Sequence, residues 1–194
     1  MKKNYFMTFA AIAMMASAAV MMVSCGSDDD GDKNEPEKPS VAKTAIINYV
    51  AEINQDLSNL MEVELIYLDN GEKKIAKLQN NRVELAVKAP SLPAKFAYEL
   101  KLTKRNNVEV DTMAVYSFEI GIGTGYTTYD SNDKEVAQLA AKVTWLKSSF
   151  DPSKRNTGLT EERLYKYIER LNNKPYAYEL PVEGQPVLVE GFQW

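Results

Sequence analysis

The chain of 194 residues contains no histidine and a single cysteine, Cys25. Without histidine it lacks the usual general base near neutral pH and the commonest metal ligand. One cysteine allows no internal disulfide, so the fold has to be held by packing. Basic charge is also short: 23 Lys and Arg stand against 27 Asp and Glu, a net charge of −4. No basic field exists to grip a phosphate backbone, which argues against nucleic acid as a partner. Carboxylate pairs and Ser/Lys dyads are the remaining catalytic options. A glycosidase needs two acids at a defined separation, and no distinctive pair stands out along the chain. The expectation is a protein that is not an enzyme and holds no metal or cofactor.

What is present begins with a sharp contrast. Lys2 and Lys3 precede an uncharged stretch over residues 5–23, and six of the eight methionines lie in the first 23 residues. A basic start, an apolar middle and small residues before a cut are the plan of a secretory signal. Val23-Ser24-Cys25 ends the stretch and resembles the lipobox of bacterial lipoproteins, with Met22 standing where that family prefers Leu. The resemblance implies a lipid-modified Cys25, palmitate-class acyl chains included, left as the first residue after cleavage. Ser27-Asp28-Asp29-Asp30 is similar to the surface-export tag of Bacteroidota-type lipoproteins. Together they imply an outer-membrane, cell-surface protein anchored through Cys25. Three acyl chains, at about 0.8 kcal/mol per buried methylene, hold a protein firmly where one does not.

The expected organisation is a signal peptide over 1–24, the lipidated cysteine and an acidic tether over 25–40, and one globular domain over 41–194. Residues 26–40 carry six acids and two lysines and almost nothing apolar. Such a stretch has too little to bury to offset its ordering entropy, and it is expected to be disordered. Asp28 to Asp32 has the composition of a calcium loop, but Lys33 occupies the sixth position, where an EF-hand needs glycine.

From Ala45 the apolar residues recur with period two. Ala45, Ile47, Tyr49, Ala51 and Ile53 share a face, as do Met61, Val63, Leu65 and Tyr67. Asp69-Asn70-Gly71 signals a tight hairpin. Val83, Leu85 and Val87 alternate with charges, and so do Phe96, Tyr98, Leu100 and Leu102. A further strand is expected over Val108–Ile120. Alternation with one polar face predicts half-buried antiparallel sheet. The fold class is therefore mainly β with two helices (α+β), an antiparallel sandwich or open barrel with its helices in the C-terminal half.

The first helix is placed over Asp133–Ser148 on the spacing of Val136, Leu139, Val143 and Leu146, with Trp145 pointing off the core face. A strand over Ala141–Lys147 competes with it. Ala and Gln in the first half favour the helix. The second helix is capped by Thr160 and carries Leu164, Tyr167, Ile168 and Leu171 as its stripe. The tail returns to strand, with Pro181 and Pro186 marking an edge, and Phe192 and Trp194 are expected to dock on the sheet.

Three short motifs invite chemistry. Gly121-Ile122-Gly123-Thr124-Gly125 has its third glycine one residue early for a dinucleotide loop and lacks a βαβ context, so it reads as a bulged or flexible connection. Ser131-Asn132-Asp133-Lys134 has S-x-x-K spacing without a K-T-G, and Ser40–Lys43 matches it equally. Asp111-Thr112-Met113 resembles the short O-glycosylation site of Bacteroidota exported proteins. On the expected strand, however, Thr112 lies on the apolar face. The candidate ligand-binding residues are Tyr126, Tyr129 and Trp145, aromatics suited to a sugar face or a protein partner. The leading expectation is a non-enzymatic binding module for a glycan or an outer-membrane protein. A fimbria-like assembly subunit is the alternative, and a carboxylate-dependent hydrolase comes third.

Overall fold

The alternating faces of the sequence close against one another in two antiparallel sheets. The computed structural model describes residues 40–111, 113–154, 160–171 and 175–194. Cys25 and the Ser27, Asp28, Asp29 and Asp30 run lie outside them. The order is β1 (Thr44–Ile53), α1 (Gln55–Leu60), β2 (Met61–Asp69), β3 (Glu72–Lys77), β4 (Arg82–Ala89), β5 (Ala94–Lys104), β6 (Tyr116–Tyr129), β7 (Glu135–Leu139), β8 (Thr144–Phe150), α2 (Glu161–Glu169), β9 (Tyr176–Leu180) and β10 (Val187–Leu188). The first sheet runs β4-β1-β6, with β7 and β8 both paired to β6. The second runs β10-β9-β5-β2-β3. This is a mainly β, sandwich-like architecture with two helices, the fold class read from the alternation.

Tyr49 shows how the sheets are joined. It sits on the inner face of β1 with no solvent exposure, and its hydroxyl donates to the Leu68 carbonyl of β2 at 2.9 Å. Its ring lies 5.4 Å from Tyr67 and 6.3 Å from Tyr98, centroid to centroid. Phe96 stacks on Tyr178 and Tyr98 on Tyr176 across β5 and β9. Ile47, Leu65, Leu100, Phe118 and Ile120 belong to the same buried cluster. The described strands, helices and core all lie within the compact unit Lys38–Trp194.

Both helices help to close one end of the sandwich. Thr160 caps α2 by accepting from the Arg163 amide at 3.3 Å. Leu164, Tyr165 and Ile168 are buried in the core, while Tyr167 packs on Phe118 and Phe150. The other helix, α1, went unread because its six residues are too few to display a period. Asn54 holds it: the side-chain oxygen accepts from Leu57 and Glu119 amides, and the side-chain nitrogen donates to the Ser117 carbonyl at 2.6 Å.

Two expectations are corrected. The helix over Asp133–Ser148 is instead β7 and β8, which pair with the open edge of β6 from Tyr126–Tyr129 and Tyr116–Ile122. Satisfying that edge outweighs the helix propensity of Ala and Gln. The strand expected from Val108 begins only at Tyr116. Thr112 lies outside the described residues, but its neighbour Met113 is 83% exposed, and Asp111 accepts from the Met113 amide at 2.8 Å in a loop.

The C-terminal aromatics dock as expected, on the outer face of the second sheet. Val189, Phe192 and Trp194 cover Leu68, Ala97 and Ala177. The Trp194 indole N–H donates to Glu99, and the Lys73 ammonium lies 5.3 Å from the indole centroid.

Burial raises the pKa of both Tyr49 and Tyr98 above the ordinary phenol value of 10. Above pH 10 the unfolded chain releases protons that the folded protein keeps, so stability falls as pH rises through that range. Urea midpoints measured from pH 8 to 11 should drop above pH 10, and the drop should shrink in Tyr98→Phe. Tyr49→Phe should also lose about 1 kcal/mol at pH 7 through its missing bond to Leu68.

Candidate functional site

Even-numbered residues of β6 point into the core, and odd-numbered ones point out. Three successive outward positions are Gly121, Gly123 and Gly125, so this part of the outer face has no side chains. The chain between β7 and β8 fills the trough. A Cβ on Gly123 would lie 2.4 Å from the Lys142 carbonyl oxygen, and one on Gly125 would lie 2.4 Å from the Ala141 nitrogen. Leu139 pairs with Tyr126 and Thr144 with Ile122, which leaves one more residue on the β7–β8 side than on β6. Residues 140–143 lie outside both strands and bulge over the glycines. The glycine run is thus neither a nucleotide loop nor a flexible connection but the middle of the longest strand.

Trp145 stands directly opposite Gly121. Its indole carbons lie 3.1 Å from where a Gly121 Cβ would be, so the ring rests on bare backbone. It remains 40% exposed. Lys147 lies on the same face, with its ammonium 5.8 Å from the indole centroid and 3.0 Å from Glu119 on β6. The register continues outward: Gly121 pairs with Glu52, and Glu52 with Arg82. Arg82 holds Glu52 at 2.7 Å and Glu84 at 2.9 Å. An indole, a glycine gap, a carboxylate and a guanidinium therefore form one row across four strands, about 14 Å long at the usual strand spacing.

The three aromatic candidates do not converge. Tyr126 faces inward and is only 4% exposed, with its hydroxyl 3.4 Å from Gln185 Oε1, so it presents no ring to the surface. Tyr129 is half-buried at the outer end of β6, about 26 Å along the strand from Gly121. Of the three, Trp145 is the most exposed. Glu52, Arg82, Glu119 and Lys147 were not singled out from the sequence. Alternation places them on outer faces, but only register places them beside Trp145.

Ser131 and Lys134 lie in the β6–β7 turn rather than on a helix. The Asp130 carboxylate accepts from the Asn132 amide at 2.8 Å and the Lys134 amide at 3.0 Å, and these bonds hold its pKa below the ordinary value. The helical turn that would bring serine and lysine together is absent there. A cleft of about 280 Å³ opens between the sheets at the β2–β3 turn, lined by Ile47, Leu68, Val87, Ala89 and Pro93 with Lys95 among its polar residues. Among the described residues no cluster of three or more acids, cysteines or histidines is arranged for a metal, and no helix is long and apolar enough to cross a membrane.

No protein-family model, curated protein or solved structure matches the chain.

Gly123→Ala should cost about 2–3 kcal/mol, because the added carbon meets backbone, which has little room to yield. Urea denaturation followed by circular dichroism checks this. Gly121→Ala should lift the indole, giving a red-shifted Trp145 emission when read in a Trp194→Phe background.

Proposed function

We propose that this chain is an exported, lipid-anchored binding module of the outer membrane that displays the Trp145 row to a glycan. The sequence start supports the location: a basic, then apolar signal, the Val23-Ser24-Cys25 lipobox resemblance and the acidic run after it. The observation that carries the binding role is Trp145, a flat indole seated on Gly121 and 40% exposed. The C–H bonds of a sugar face carry partial positive charge and suit the electron-rich face of an indole. Glu52, Glu119, Lys147 and Arg82 offer acceptors and donors for hydroxyls around it. The broad, shallow face suits an oligosaccharide lying across the strands better than a small molecule buried in a pocket.

Anchoring is tested in cells. Cys25→Ser should abolish incorporation of a labelled palmitate analogue and release the protein from the membrane fraction. Continued labelling in that variant would remove Cys25 as the anchor.

Binding is tested with the Lys38–Trp194 unit on a saccharide array. A saccharide bound by the native protein should lose at least about tenfold in affinity in Trp145→Ala. Lys147→Ala, which leaves the indole on Gly121, should weaken it less, and Tyr129→Ala should leave it unchanged. A bound saccharide indifferent to Trp145→Ala, or none bound at all, would sink the glycan reading.

A further inference from the structure

A sheet edge is an open row of hydrogen-bonding groups, and proteins normally blunt it. Three of the four edges here are blunted. In β3, Lys73, Lys74 and Lys77 supply half of a six-residue strand. β10 is two residues long and follows Pro186. The β7–β8 edge is broken by its bulge. The fourth, β4, is different: it pairs in unbroken register with β1 from Arg82–Glu52 to Ala89–Ala45 and contains no proline.

Which backbone groups of β4 lie open can be worked out from its lower end. The Asn81 carbonyl accepts from the Ile53 amide at 2.9 Å, toward β1, whereas Arg82 exchanges both of its bonds with Gln79 at 3.0 and 2.9 Å, away from β1. Backbone groups alternate sides along a strand. Glu84, Ala86 and Lys88 therefore point their N–H and C=O out of the sheet, and these have no main-chain partner among the described residues. Val83 and Leu85, on the inner side, are only half-buried, and Ala86 at the centre is small and exposed.

We infer that the β4 edge is a self-association surface, pairing antiparallel with β4 of a second copy about a twofold axis at Ala86. Charges and free main-chain groups together select the occupant and the register: centring on Val83 would need the Arg82 groups already bonded to Gln79, and centring on Val87 would set Glu84 against Pro90, which has no N–H. Centred on Ala86, Glu84 faces Lys88 of the second copy, and Lys88 faces its Glu84. Centring on Glu84 or on Lys88 sets like charges opposite each other, and centring on Leu85 sets Arg82 against Lys88. Lys88 has no ion-pair partner among the described residues and is free to take one. About six main-chain hydrogen bonds form, two for each facing pair. The first sheet then runs unbroken through both copies. This pairing stands independently of any glycan.

Sedimentation equilibrium of the Lys38–Trp194 unit tests the proposal, at loadings from about 1 to 500 µM to suit a small interface. The native unit should show a monomer–dimer equilibrium. Glu84→Lys alone and Lys88→Glu alone should each raise the dimer Kd at least about tenfold, because each sets like charges opposite each other twice. The double exchange, Glu84→Lys with Lys88→Glu, should restore it, with circular dichroism confirming that all variants are folded. Rescue by the double exchange separates pairing across the twofold axis from loss of the Arg82–Glu84 contact. A native protein that stays monomeric throughout, or a dimer indifferent to the single reversals, overturns the proposal.

Discussion

Strand β6 has to satisfy two edges at once, and its glycines decide how it does so. One side is filled by β1 along ten paired residues. The other is filled by two strands in succession, which meet over a stretch that carries no side chains. Were those outward positions occupied, the β7–β8 chain would be held off the sheet and the edge would stand open. The same absence seats Trp145 against Gly121. Sheet closure, the bulge and the only large exposed ring on β8 thus follow from one alternation of glycine along a strand.

The interior has a different logic. Its aromatic residues come from β1, β2, β5, β6, β8, β9 and α2 and meet between the sheets. Tyr49 keeps its polar end satisfied by reaching the opposite sheet, so a polar group adds to the contact between sheets instead of weakening it. The C-terminal aromatics build a smaller apolar layer on the outer face of the second sheet. Among the described residues the first sheet has no such cover apart from the chain between β7 and β8, and its outer face keeps a row of charges beside Trp145. The two outer faces are therefore unequal: one is closed by the chain's own end, and the other carries the candidate site.

Much of this was legible in the sequence, and the parts that were not share a cause. The inward rows of β1, β2, β4 and β5 were visible because side chains alternate with period two wherever a strand runs. Helix α2 was visible through its Thr160 cap and apolar stripe. The stretch from Asp133 to Phe150 misled because Val136, Leu139, Val143 and Leu146 also fit a helical face, while the need for a strand there came from β6, earlier in the chain. The glycines read as a bulged or flexible connection, because the backbone that lies over them comes from a later part of the chain. Tyr126 and Trp145 looked alike as candidates, yet one is core and the other surface.

By itself, then, the sequence determined the mainly β class, the inner and outer faces of most strands and helix α2, all of which rest on contacts between near neighbours in the chain. The tertiary structure alone decided that 135–139 and 144–150 are strands, that Glu52, Arg82, Glu119 and Lys147 stand around Trp145, and that β4 is left with an open edge. Those outcomes depend on register between strands distant in the chain, where a slip of one residue turns every side chain to the opposite face.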